Sequence, residues 1–401
     1  MTAMDLALVT NVFPPEVHGG YELLAADVAR VLRARGHRVR VLTSGPPSRD
    51  DHPDTHRVLT LSRPFGERAS SDRARHFAAA LHNRRAVERF FSSVPAIDGA
   101  LVFSLRRLGL APLRALHARA IPSVVTVNDD WPLSYVAPSA GRSLRAHIAR
   151  WIDAVPGAPH VWGALSSERV LWLSEPLREA VRSGGAPLGH GALCAQGVDR
   201  SLFTERANFQ PDRDNPTILS VGRLHPDKGC ELVVESFAAL VHRGINARLR
   251  MAGPPYVPEY GALLRERARS LGVEDKIEWL GAVPREQLPS LYQSADLFLF
   301  VSRNENEGLG LTWLEAMSCA TPVVASPAGG AKAFFDEHGG VERAERPDPD
   351  AIADAMQRVL GSEERQRALV ARGRAVSAQH ASLDRYVDAL LEMVVRDGVP
   401  N

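Results

Sequence analysis

Short β-branched apolar runs alternate with amphipathic stretches along almost the whole chain, and they do so in two series. That alternation is the pattern of parallel sheets covered by helices. In the first series "DLALVT" (5–10), "RVRVLTS" (38–44), "GALVFS" (99–104), "PSVVTV" (122–127) and "RVLWLS" (169–174) read as strands. In the second, "TILSVG" (217–222), "ARLRMAG" (247–253), "KIEWLG" (276–281), "DLFLFVS" (296–302) and "TPVVAS" (321–326) do the same. "YELLAADVARVLRARG" (21–36) carries apolar residues at helical spacing and stops at a glycine. A chain of 401 residues is too long for one ordinary core. The polar, aperiodic "TERANFQPDRDNP" (204–216) marks the linker between two α/β domains, expected over 1–204 and 205–377. The tail, 378–401, holds the amphipathic helix "SLDRYVDALLEMVVRDG" (382–398).

Several function classes are excluded early. No run of about 18 apolar residues exists to span a bilayer. The opening "MTAMDLALVTNVF" lacks a basic leader region and reads as a first strand. Cys194, Cys230 and Cys319 are isolated, which argues for a reducing compartment and against a disulfide framework or zinc site. Charge is split unevenly. Residues 1–200 carry 25 Lys and Arg against 18 Asp and Glu, and residues 201–401 carry 23 against 29. The basic first half suggests an anionic partner there, either a phosphate-bearing acceptor or a membrane surface. Solvated arginines account for it equally well, and no nucleic-acid partner is expected.

The chemistry concentrates in three stretches. "NEGLGLTWLEAM" (306–317) places Glu307 just before a glycine-rich turn and Glu315 about one turn into the following helix. Gly310, Leu311 and Thr312 offer free amides at that helix start. Acids flanking an anion-binding turn suit a sugar joined to a phosphate: carboxylates take vicinal hydroxyls and amides take the phosphate. On residues alone, a capping acid and a surface glutamate remain the alternative. "SVGRLHPDKG" (220–229) sets Arg223 and Lys228 at a strand end where a helix opens. A helix terminus supplies at most about 2 kcal/mol to an anion. A cation at about 4 Å and an effective dielectric near 20 supplies about 4 kcal/mol. A leaving diphosphate needs the larger contribution, although two solvated loop cations would look the same. "PPEVHGG" (14–20) ends in Gly19 and Gly20 at a helix start, and no G-x-G-x-x-G follows the first strand.

In their order along the chain, these pieces resemble the retaining glycosyltransferases of the GT-B fold, group 1 (family 4). The resemblance is strongest from "GRLHPDKG" through "LRMAGP", "EGLGLTWLEAMSCATPVVASPAGG" and "PDAIADAMQRVL". It implies two doubly wound Rossmann-like domains facing across a cleft, the first on the acceptor side and the second binding a nucleotide-sugar, with the tail helix crossing back. Arg223 and Lys228 would hold the donor diphosphate, Glu307 the transferred sugar and Glu315 the ribose. Gly310, Leu311 and Thr312 would donate amides, Gly19 and Gly20 would close over the donor, and the base would lie near Ala282 and Val283. The family often has His-Asp where "NDDW" stands, so Asn128 occupies the histidine position and cannot carry a proton. Leu309 stands where phenylalanine is common, and Gln196 replaces an asparagine.

Without a carboxylate nucleophile, retention implies front-face attack with the diphosphate taking the acceptor's proton. The acidic triplets "DRD" (212–214) and "DPD" (348–350) read as linker and cap, so neither a metal nor a cofactor is expected. The donor is expected to be a UDP-sugar and the acceptor anionic or lipid-linked. The enzyme is expected in the cytoplasm. "SLRAHIARWIDAV" (143–155) offers Trp151 and Arg150 for peripheral contact with the inner membrane face, or is a plain core helix. A nucleotide-sugar 2-epimerase and an inactive sugar-nucleotide-binding subunit are the rival readings.

Overall fold

The computed structural model describes residues 2–64, 73–136, 162, 165–167, 169–302, 309–326 and 331–395. Glu305, Glu307, Gly308 and the stretch 143–155 lie outside the described residues. The chain divides into two compact units: one of Met1–Ala195 with the residues from Asp384 onward, the other of Gln196–Leu383.

The first unit is built on a seven-stranded, wholly parallel sheet in the order β3-β2-β1-β4-β5-β6-β7. Its strands are β1 (Asp5–Val9), β2 (Arg38–Ser44), β3 (Thr55–Leu59), β4 (Gly99–Val102), β5 (Ser123–Val127), β6 (Val170–Trp172) and β7 (Ala192–Leu193). Helices α1 (Gly20–Ala34), α2 (Arg73–Ser93), α3 (Ala111–Ala118) and α4 (Glu175–Ser183) connect them. The central strands are buried on both faces, so they read as near-continuous Val, Leu and Ala runs. Val102, Val125, Trp131 and Trp172 all sit fully buried in one core. Burying each of the two valines is worth about 1.5–3 kcal/mol.

The second unit has a six-stranded parallel sheet ordered β10-β9-β8-β11-β12-β13. Its strands are β8 (Thr217–Val221), β9 (Arg248–Ala252), β10 (Ile277–Gly281), β11 (Leu297–Phe300), β12 (Val323–Ala325) and β13 (Glu342–Arg343). Helices α5 (Cys230–His242), α6 (Pro258–Ser270), α7 (Leu288–Ser294), α8 (Thr312–Ser318), α9 (Ala331–His338), α10 (Pro349–Leu360) and α11 (Glu363–His380) cover it. Phe237, Leu249, Leu299, Ile352 and Met356 form its core.

The boundaries, after Ala195 and after Leu383, lie about nine residues before 204/205 and about six after 377/378, for a local reason. Val198 pairs with the returning chain: its amide donates to the Ala381 carbonyl at 2.9 Å and its carbonyl accepts from Leu383 at 3.1 Å. A Cβ on Gly197 would lie 2.3 Å from the Leu383 Cα, so only glycine lets the two segments approach this closely. The last helix, α12 (Leu383–Val395), returns to the first unit. There Arg35 reaches Asp384 at 2.7 Å and Asp388 at 2.5 Å, and Val394 packs over Gly99. Strands β3, β7 and β13 were not expected. "THRVL" is half polar and lies at a sheet edge, while β7 and β13 span only two residues each.

Candidate functional site

In a parallel sheet of this kind, ligands lie beyond the carboxyl ends of the strands, where the strand order reverses. In the second unit that point falls between β8 and β11. The loop after β8 carries Arg223, exposed, and Lys228, half-buried, before α5 opens at Cys230. Its geometry depends on Gly229, whose φ is +64° and whose Cβ would sit 2.8 Å from Val301 Cγ1. His225 caps the short turn by accepting from the Asp227 amide at 3.2 Å, and its ring meets Tyr256 edge-on at 4.6 Å. The Arg223 guanidinium stands over the same tyrosine ring at 5.8 Å.

On the β11 side, Gly310 has φ +69° and a Cβ there would crowd the Phe300 ring at 3.0 Å, so the fold itself requires this glycine. Leu311 and Thr312 follow, and α8 begins at Thr312 rather than about Gly310. Leu309 is buried, and its carbonyl accepts from the Trp313 indole at 2.6 Å. Glu315 is not a surface residue: it is 5% exposed, and its Oε2 accepts a hydrogen bond from the Tyr292 hydroxyl at 2.7 Å. The structure therefore brings Arg223, Lys228, Gly310, Leu311, Thr312 and Glu315 to the one switch point of this unit. Val283 lies on the same strand-end side but after β10, the sheet's margin, beside Gly281, whose carbonyl accepts from the Gly253 amide at 2.6 Å.

The first unit reverses its strand order between β1 and β4. Here Asn11 spans the opening, its amide donating to Ser104 Oγ at 3.1 Å and its Oδ1 accepting from the Arg107 amide at 3.3 Å. Asn128, just beyond β5, is 4% exposed, and neither atom of its side-chain amide has a hydrogen-bond partner among the described residues. Its backbone amide donates to the Tyr21 hydroxyl at 2.6 Å, tying the loop to the first turn of α1. The Tyr386 hydroxyl of α12 approaches Asn128 and Thr126 without reaching hydrogen-bond geometry. Burial first, and Asp129 second, hold the Tyr21 hydroxyl well above its ordinary range. Asp129 and Asp130 pair with Arg106 at 3.3 and 2.5 Å, and burial pushes the Asp129 carboxyl up despite that cation.

Gly19 and Gly20 open α1, and the reason for Gly19 differs from that for Gly310. Its φ of −174° is extended backbone that any residue adopts. A Cβ there would meet Glu22 Oε2 only at 3.7 Å, an ordinary contact, so nothing among the described residues demands glycine. Glu22 itself is buried, and that burial raises its carboxyl.

The two acidic triplets have structural duties. Asp212 Oδ1 accepts from the amides of Asp214 at 3.1 Å and Asn215 at 3.0 Å, and Asp348 caps α10 through Ala351 at 2.9 Å. Among the described residues no group of three or more His, Cys, Asp or Glu is placed to hold a metal, and no helix is long and apolar enough to cross a membrane. Sequence reasoning missed Tyr292 and Tyr21. Each is an aromatic at a helical core spacing, and only the fold reveals the polar partner.

The family profile described as "Glycosyl transferases group 1" matches residues 203–376, and "Glycosyltransferase Family 4" matches residues 18–202. Mannosylfructose-phosphate synthase of Agrobacterium fabrum is 38% identical over 33% of this chain and 29% of its own length. The D-inositol 3-phosphate glycosyltransferase of Salinispora tropica is 34% identical over 55% of this chain and 46% of its own. These matches thus span less than half the length of either relative. A GDP-mannose-dependent alpha-(1-6)-phosphatidylinositol monomannoside mannosyltransferase of Mycobacterium tuberculosis is 26% identical over 92% of both chains. Among solved structures, Anabaena HepE in complex with UDP and glucose superimposes with a TM-score of 0.70 at 18% identity, covering 98% of this chain and all of that one. The two profiles, lying end to end over both α/β units, show that the chain belongs to the group-1 glycosyltransferases of the GT-B fold.

Proposed function

We propose that this protein transfers a sugar from a nucleotide-sugar to a hydroxyl acceptor with retained anomeric configuration and without a metal. One observation carries the reading. Paired cations and a buried carboxylate flank the same switch point of the second unit, Arg223 and Lys228 after β8 and Glu315 after β11. The cations take the departing diphosphate, and Glu315 takes the nucleotide's ribose. Gly310, Leu311 and Thr312 supply amides, and Val283 borders the base. Glu307 is assigned to the transferred sugar's hydroxyls on the strength of the family motif.

In the first unit, the Asn128 amide offers one donor face and one acceptor atom to a sugar hydroxyl. Leaving such buried groups unpaired costs about 1–3 kcal/mol each, a cost that a hydroxyl ligand removes. Gly19 gives backbone access where a side chain would intrude on that ligand. The protein's main contributions are holding two reactants together and stabilising charge on the leaving group. The diphosphate oxygen, rather than Asn128, receives the acceptor's proton.

The base is proposed to be uracil, in keeping with the UDP found in the HepE structure. Guanine is the second reading, favoured by the mannosyltransferase relative. The acceptor is proposed to be anionic, as the names of the inositol-phosphate relatives suggest for those proteins. A thermal-shift screen against UDP-, GDP-, ADP- and TDP-sugars tests the donor. A ligand at 100 times its Kd stabilises by about 2.7 kcal/mol. No shift with any of them, or a shift untouched by Arg223→Ala, would refute the assignment.

A further inference from the structure

Glu315 is delivered to the switch point by a helix of only seven residues, and a glutamate side chain rotates about three bonds. What fixes it comes from a different element. Tyr292, on α7, is fully buried and donates its hydroxyl to Glu315 Oε2 at 2.7 Å. The tyrosine is itself clamped. Its ring packs edge-on between Phe203 at 6.0 Å and Phe298 at 5.4 Å. Its carbonyl accepts from Thr321 Oγ1 at 2.6 Å, just after α8 ends. Burial, reinforced by the neighbouring carboxylate, keeps the phenol far above its ordinary range, so it stays a donor at every working pH.

A hydroxyl does this differently from a cation. It anchors one lone pair of the carboxylate while leaving the negative charge in place, so the oxygens still accept strongly from other hydroxyls. We propose that Tyr292 is the positioning residue for the ribose contact: through its hydrogen bond it holds the Glu315 carboxylate where the vicinal hydroxyls of a ribonucleotide donor meet it, and so sets the preference for ribose. This rests on the assignment of Glu315 to the ribose made above.

The test compares UDP with 2′,3′-dideoxyuridine diphosphate, titrated calorimetrically into the full chain. Tyr292→Phe keeps the ring and removes only the donor. It is expected to weaken UDP about tenfold, or about 1.4 kcal/mol, while changing the dideoxynucleotide less than twofold. Phe203→Leu, which loosens the clamp and keeps the hydroxyl, is expected to give a smaller loss of the same ribose-only kind. It serves alone if Tyr292→Phe does not fold. Equal weakening of both nucleotides, or no weakening of either, overturns the role of Tyr292. Glu315→Gln separates the two layers. If it abolishes ribose preference while Tyr292→Phe leaves it intact, only the present inference falls. If Glu315→Gln leaves ribose preference unchanged, the assignment of Glu315 falls and takes this inference with it.

Discussion

At the switch point of the first unit, side chains close the gap between strands. Asn11 bridges to Ser104, Arg106 is paired with Asp129 and Asp130, and the buried Arg57 binds Asp51 at 2.8 Å along with the carbonyls of Phe13, Pro14 and Ser44. At the equivalent point of the second unit the backbone does the shaping, through left-handed glycines at 229 and 310. Arg223 there stays exposed, its guanidinium over the Tyr256 ring. On the function proposed above, the same strand order would serve two chemistries, a rim with matched charges taking neutral hydroxyls and a rim of glycine turns with an exposed cation taking a diphosphate.

The largest expected effect sharpens that contrast. Arg223→Ala removes charge stabilisation from the leaving group and should lower turnover about 10²–10³-fold, as for other preorganised donors. Steady-state transfer assays check it, with near-wild-type turnover counting against the cradle. Gly229→Ala should act on stability. It forces an L-residue into φ +64° and drives a methyl into Val301, at about 1–3 kcal/mol. Denaturant unfolding followed by the tryptophans should show an earlier transition, and an unchanged midpoint would mean that the turn relaxes freely.

The third prediction is smaller and opposite in sign for two carboxylates, one in each unit. The Arg57 hydrogen bond holds the Asp51 carboxyl below its ordinary range. Its stabilisation is therefore present above the unfolded aspartate value near 3.9 and is lost as pH falls from there through the folded value. Burial instead raises Asp296 in the second unit, against the amides of Thr217 and Asp212 that it accepts from. The native state then holds its proton longer, so the contribution of Asp296 to stability is lost as pH rises from about 3.9 through the raised value. Hydrogen exchange at pH 3, 4 and 5 should show Asp51→Asn lowering, and Asp296→Asn raising, the gain in stability with pH relative to the unsubstituted chain. Shifts in the same direction would break the comparison.

The major strands were legible because strands covered on both faces write themselves as apolar runs. Edge strands did not, since "THRVL" can be half polar when only one neighbour pairs with it. The placement of the cations and glycines of the second unit was legible as a motif, because each belongs to its own strand-end loop. Tyr292 was not. It touches Glu315 from 23 residues away, and nothing local in "LPSLYQS" distinguishes a core tyrosine from one that aims a hydroxyl. The orphaned amide of Asn128 was equally silent, since burial is a property of the assembled unit. The charge surplus of residues 1–200 overstated what is available for a ligand, because Arg35 is matched by Asp384 and Asp388, which lie outside that stretch of sequence.

The return of α12 has a consequence for biosynthesis. Gly99, on the central strand β4, is covered by Val394, and Tyr386, Leu390 and Leu391 are buried. The second unit is one unbroken stretch of chain, whereas the first lacks part of its own core until α12, made after the whole second unit, leaves the ribosome. A chain ended at Ser382 should therefore protect the later-made half from protease and leave the earlier-made half open to digestion. The half synthesised first is the half that matures last.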